Sequence, residues 1–179
     1  MQIIVADSCS LILLSKSGLL KALTECCRLV VPKAVYEEVV NPETIGKFPD
    51  AKILNVMVAQ GHIEVVSAAT QDPDRQPPVT LGSGEWEAIR LVWRLGEGTI
   101  LATDDGKAIK ACRYLNLPFI ISPKIATELY RQGQVERSAA KAAIEKMRIE
   151  GRYTPDIIAE ALLRLEEIEN AQNGNRAGS

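Results

Sequence analysis

Short β-branched runs alternate with helical segments along most of this chain, and that alternation limits the fold more than any other feature. Ile3-Ile4-Val5-Ala6 is a continuous apolar run that stops at Asp7. Leu29-Val30-Val31, Ile63 to Val66, Thr99 to Ala102 and Pro118 to Ile121 follow it. Runs this short and apolar read as strands buried on both faces, the pattern of a parallel sheet covered by helices. The run at 63–66 suits a sheet edge. Between the runs the spacing predicts helices over 11–16 and 19–23, broken at Gly18, and over 33–40, opened by Pro32 and ended by Asn41-Pro42. Further helices are expected over about 50–60, with Gly61 behind, over 85–95 and over about 106–115. Ser122-Pro123 reads as the cap and opening of another. Trp86, Ile89 and Trp93 recur at i, i+3 and i+7, so both tryptophans are expected in the core. Residues 67–80, with Pro73, Pro77 and Pro78, read as a loop. From Ser138 the pattern is helical, about 138–150 and 155–169, broken by Gly151 and Pro155. The expected organisation is therefore an α/β domain over 1–135, a C-terminal helical extension over 136–169 packed on it, and a flexible tail over 170–179. The fold class is an α/β/α sandwich around a central, mostly parallel sheet.

Composition narrows the chemistry. With 179 residues and 46% hydrophobic content, the chain can bury a core without disulfide or metal staples. Its 21 basic and 23 acidic residues give a net charge of −2, which excludes a broadly basic nucleic-acid coat. His62 is the one histidine, so a multi-histidine metal site is excluded; after Gly61 it reads as a surface loop residue. Two Trp, four Tyr and two Phe offer few platforms for base stacking. Cys9, Cys26, Cys27 and Cys112 contain no CxxC and read as free thiols of a reducing compartment. No signal peptide is evident, and Leu11 to Leu14 is too short to span a bilayer. A cytoplasmic protein with no membrane partner is expected. Gly82-Ser83-Gly84 lacks the Lys-Ser/Thr ending of a phosphate loop, and Gly96-Glu97-Gly98 does not follow a strand.

The acids remain. Ligands of open α/β sheets collect at the carboxyl ends of the strands. Asp7 lies just past the first strand, and Asp104 and Asp105 just past a later one. Glu85 sits in the first turn of a helix, and Glu37 and Glu38 within the helix after the second strand. Converging carboxylates raise one another's pKa unless a cation neutralises them, and hard divalent ions favour such oxygen ligands. Each acid also has a plainer reading. Asp7 can be turn chemistry, Glu85 a first-turn residue favoured by the helix dipole, Asp104 a helix N-cap, and Glu37 and Glu38 a solvated face.

Four blocks, in order, resemble the PIN-domain nucleases, in the branch of uncharacterised prokaryotic PIN-like proteins that open with Asp-Thr-Ser-Pro-Leu-Ile. They are Val5 to Lys16, Val31 to Val39, Leu81 to Ile89, and Leu101 to Asp105 with Leu115 to Pro118. The resemblance spans about residues 1–165. It implies a PIN-like fold and metal-dependent phosphodiester hydrolysis, with RNA as the expected substrate and Mg²⁺ or Mn²⁺ as the cofactor. It also implies an antitoxin partner for a toxin role, and a homodimer. By position, Asp7, Glu38, Glu85 and Asp104 match the family's acids, with Asp105 as a neighbouring ligand or water-positioner. Ser8 stands where a hydroxyl could orient Asp7. Two departures are Cys9-Ser10 in place of Ser-Pro, and Glu85 where many members carry Asp. Phosphate contacts are expected from Lys16, Lys107, Lys110 and Arg113. The competing reading is a catalytically weak or inactive PIN-fold module that binds nucleic acid or regulates. A phosphoacceptor receiver domain would need paired acids after the first strand, where only Asp7 stands.

Overall fold

The computed structural model describes residues 2–67 and 76–177, so residues 68–75 of the expected loop lie outside the described residues. Its elements are β1 (Ile3–Ala6), α1 (Ser8–Lys16), α2 (Leu20–Cys26), β2 (Arg28–Pro32), α3 (Lys33–Val39), α4 (Pro42–Lys47), α5 (Pro49–Ala59) and β3 (Ile63–Val66). Then come α6 (Ser83–Leu95), β4 (Thr99–Ala102), α7 (Gly106–Leu115), β5 (Phe119–Ile120), α8 (Ser122–Arg131), α9 (Arg137–Glu150) and α10 (Pro155–Ala177). The strands form one sheet in the order β3-β2-β1-β4-β5, with every neighbouring pair parallel. β3 is an edge strand, as the sequence suggests.

The strands divide the core in two because successive side chains alternate across a sheet. Ile4, Ala6, Leu29 and Val31 pack with Leu14, Leu23, Leu54, Ile125, Ile144 and Leu165, so one face is covered by α1, α2, α5, α8, α9 and α10. Val5, Val30 and Leu101 point the other way and pack with Ile89, Val92, Ala111 and Cys112 of α6 and α7. The result is the expected α/β sandwich, and its sheet is wholly parallel. Among the described residues no helix is long and apolar enough to cross a membrane.

Four local expectations change. Asn41-Pro42 does not merely end α3. The Asn41 side chain accepts from Glu43 N at 3.1 Å and Thr44 N at 3.0 Å, while Thr44 Oγ1 accepts from Asn41 N at 2.9 Å. That reciprocal capping box, with Pro42 in the first turn, starts α4. Trp93 is 40% exposed rather than core. The buried stripe of α6 runs through Gly84, Ala88, Ile89, Leu91 and Val92, and Trp93 lies one residue further round the helix. Trp86 is half-buried against the α6–α7 core. The last helix continues to Ala177, past residue 169. Finally, Ser122 does not cap α8: Ile121 holds the cap position with no side-chain bond, and Ser122 is turned elsewhere.

Candidate active site

The sheet order reverses at β1. The chain steps outward from β1 to β2 and β3, then returns to place β4 on the other side of β1. Connections leave the carboxyl ends of β1 and β4 in opposite directions, and this opens the crevice where open α/β sheets bind ligands. Ala6 is paired with Ala102, so Asp7 and Thr103 emerge side by side at that point, with Asp104 and Asp105 next along the chain.

Asp7 is 1% exposed and caps α1. Its Oδ1 accepts from Ser10 N at 2.9 Å and its Oδ2 from the Thr103 hydroxyl. Burial pushes its pKa from 3.8 to about 6; the Ser10 and Thr103 hydrogen bonds oppose this, and the charge of Asp104 adds to it. Ser10 Oγ donates to Ala102 O at 2.7 Å, which ties the start of α1 to β4. Asp104 is held from two other elements. Oδ1 accepts from Ser122 N at 2.9 Å and from the Tyr153 hydroxyl at 2.5 Å, and Oδ2 accepts from Ser122 Oγ at 2.5 Å. Burial raises its pKa, and these bonds pull it back. The plainer alternative, Asp104 as a helix N-cap, does not hold. Its carboxylate faces Ser122 and Tyr153, and Asp105 caps α7, accepting from Lys107 N at 2.8 Å and Ala108 N at 2.9 Å.

Ser8 also differs from expectation. Its hydroxyl donates to Glu38 Oε2 at 2.6 Å, not to Asp7, whose two oxygens are already engaged. Gly84 makes this pairing possible: a Cβ there would lie 3.2 Å from Glu38 Oε2, 3.3 Å from Val35 Cγ2 and 3.6 Å from Ser8 Oγ. Glu85 is half-buried and folds back against Gly82, where a Cβ would collide with its Oε2. Its neighbour Glu87 accepts from Ala34 N at 3.1 Å and steadies the first turn of α3. Cys9 reports the convergence of the acids. Partial burial of its thiol, then the charges of Asp7, Asp105, Asp104 and Glu85, push its pKa up to about 11. Four of the expected acids thus share one electrostatic field, and Glu38 joins through Ser8, the residue next to Asp7. Of these acids, Asp104 and Asp105 line a groove of about 660 Å³ whose other walls include Cys9, Ile109, Tyr153 and Ile157.

A family model for the PIN domain (DUF3368) matches residues 3–167. The chain belongs to the PIN-domain family. The match takes in α9 and runs into α10 as far as residue 167. A solved PilT N-terminus domain protein from the hyperthermophilic archaeon Sulfolobus solfataricus P2 is similar to 75% of this chain and 94% of its own, at 16% identity and a TM-score of 0.48. No curated protein matches.

PIN domains generally use divalent metal ions. The donor chemistry of this PIN domain suits such an ion. The oxygens are hard carboxylate donors; burial disfavours the charged forms of Asp7 and Asp104, and the charge of Asp104 adds to that cost at Asp7, a cost that a cation offsets. Among the described residues, no three acidic, cysteine or histidine side chains form a group ready to hold an ion as they stand. Of the expected cations, Lys16 is paired with Glu150 at 3.0 Å. Lys107, Lys110 and Arg113 lie exposed at every third position of α7, and the Arg113 guanidinium sits 5.7 Å over the Phe119 ring. Sequence reasoning missed Ser10, Thr103, Ser122 and Tyr153. Thr103 alone carried a signal, as a hydroxyl between a strand end and paired acids.

Proposed function

We propose that this PIN domain is a metal-dependent phosphodiester hydrolase acting on RNA, with Asp7, Glu38, Glu85 and Asp104 as its acids and Asp105 beside them. The observation that carries this reading is the pair Asp7 and Asp104 at the ends of β1 and β4, where the sheet order reverses, with Glu85 and Asp105 in the same field. These acids would hold Mg²⁺ or Mn²⁺. When bound, such an ion supplies positive charge against the phosphoryl group and lowers the cost of activating water. The protein's own part is to keep the carboxylates fixed. Ser10 and Thr103 fix Asp7, Ser122 and Tyr153 fix Asp104, and Ser8 fixes Glu38. The exposed Lys107 and Lys110 would draw in the RNA backbone. The reading needs no side-chain nucleophile, which suits a chain with one histidine.

The test is cleavage of single-stranded RNA with and without Mn²⁺ by the wild-type chain, Asp7→Asn and Asp104→Asn. Metal-dependent cleavage lost in both variants supports the reading; equal cleavage by all three refutes the site. One observation favours a second reading, a catalytically weak PIN-fold module: protein donors already engage three of the four acceptor positions of the Asp104 carboxylate. Calorimetric titration with Mn²⁺ and Mg²⁺ separates the two, since the weak module takes up neither ion near millimolar concentration. A toxin role with an antitoxin partner, and a homodimer, belong to the same proposal. Co-purification with the product of a neighbouring small gene and the mass in solution test them.

A further inference from the structure

The segment joining α9 to α10 does more than turn the chain. Glu150, the last residue of α9, is pinned to Lys16 of α1 at 3.0 Å. Gly151 follows with an extended backbone, φ −90° and ψ 167°, so a left-handed conformation is not why glycine stands there. Space is the reason. A Cβ at 151 would lie 2.5 Å from Tyr153 Cε2, 2.8 Å from Tyr153 Cδ2 and 2.7 Å from Met147 O. The tyrosine ring is thus packed against the bare backbone of Gly151, and its hydroxyl is aimed at Asp104 Oδ1, 2.5 Å away. Burial of the ring alone would not require this aim. The hydroxyl meets a carboxylate that Ser122 already holds through its amide and its hydroxyl.

Counting acceptor positions shows what the third donor does. An ionised carboxylate offers about four lone-pair sites. Ser122 and Tyr153 use three of those on Asp104, which fixes the plane of the carboxylate and leaves one site on Oδ2. Donors of this kind behind a ligating carboxylate set its orientation and its affinity for a cation. We propose that Tyr153 is a positioning residue for Asp104, so that the α9–α10 pair completes the acidic edge in addition to covering the sheet. As a statement about catalysis this rests on the nuclease reading; as a statement about Asp104 it does not.

Tyr153→Phe removes only the hydroxyl and keeps the ring on Gly151. The expected result is an unchanged far-UV circular dichroism spectrum, Mn²⁺ affinity weaker by about 10- to 100-fold, and a fall in kcat on single-stranded RNA with KM unchanged. A further readout needs no metal. The Ser122 amide, which shares Asp104 Oδ1 with Tyr153, should exchange its hydrogen several-fold faster in Tyr153→Phe when followed by NMR. Gly151→Ala, which displaces the ring, should reproduce the Mn²⁺ and Ser122 effects. Wild-type Mn²⁺ affinity together with wild-type Ser122 exchange in Tyr153→Phe overturns the proposal. If the wild-type chain neither binds Mn²⁺ nor cleaves RNA, the nuclease reading falls and the Ser122 amide alone decides the role of Tyr153.

Discussion

Replacing Asp7 with asparagine should make the metal-free protein more stable while removing an acid from the site. Asp7 is 1% exposed, so almost no solvent screening reduces the cost of its charge. Its carboxyl ionises near pH 6 in the folded chain against an ordinary value of 3.8. Each pH unit between the two is worth about 1.36 kcal/mol. Ionising Asp7 therefore costs folding stability about 3 kcal/mol at pH 7, and only about 0.5 kcal/mol at pH 4, where the folded carboxyl is almost wholly protonated and the unfolded one is near its midpoint. The sign follows from the raised pKa. The stabilising protonated form is fully present below the unfolded value and is lost as pH rises through about 6. Asparagine never ionises, and it is an equally good N-cap, so it can still accept from Ser10 N. For a chain of this length, 1 kcal/mol moves Tm by about 2–4 °C, so Asp7→Asn should melt about 6–12 °C above wild type at pH 7 in EDTA. The two should nearly coincide at pH 4. Adding Mn²⁺ should narrow the gap at pH 7, because an ion that binds the native wild-type site stabilises that protein selectively. Thermal and urea unfolding at both pH values measure this. An Asp7→Asn protein less stable than wild type at pH 7, or with the same advantage at pH 4, would refute the claim that Asp7 is held charged at a desolvation cost.

Three other perturbations test the frame of the site. Gly84→Ala puts a methyl 3.2 Å from Glu38 Oε2 and 3.3 Å from Val35 Cγ2, so it should cost about 1–3 kcal/mol and weaken Mn²⁺ binding, read by urea unfolding and calorimetry. Asn41→Ala removes the α4 capping box and should lower stability by about 1 kcal/mol, with Mn²⁺ affinity unchanged. Lys107→Ala combined with Lys110→Ala should weaken binding to single-stranded RNA and reduce the slope of log affinity against log salt by about 1.4, roughly 0.7 for each lost phosphate contact. An unchanged slope would remove α7 from the RNA path.

The sheet and its acids were legible because both obey local rules. Ile3 to Ala6 and Thr99 to Ala102 are continuous apolar runs, and a residue placed immediately after such a run must appear at the carboxyl edge whatever the rest of the chain does. Asp7 and Asp104 needed nothing more. Errors arose where a residue had two local readings and a distant partner chose between them. Asn41-Pro42 reads as a stop for the helix before it and as a start for the helix after it, and both are true. Ser122 reads as a cap until Asp104, 18 residues earlier, takes its amide and its hydroxyl. Ser8 reads as a partner of Asp7 until Gly84 lets Glu38 come within reach. Trp93 was drawn inward by a single aromatic spacing, whereas the small and aliphatic stripe of α6 sets the buried face.

Tyr153 lies at the limit of what sequence can indicate, because 49 residues and three helices separate it from Asp104. The physical reason for its placement nevertheless follows from the fold. A parallel sheet gathers its acids at one edge, and burial there raises the free energy of each charged carboxylate. Such an edge needs donors that the strands cannot supply, since their own amides are committed to the sheet. In this chain the donors come from the starts of α1 and α8, from Thr103 and from the α9–α10 turn. The C-terminal pair packs its apolar face on the same core as β1 and α1. That packing positions a tyrosine at Asp104, whose other two donors both come from Ser122, so the helices that close the core also supply a donor to the polar site above it.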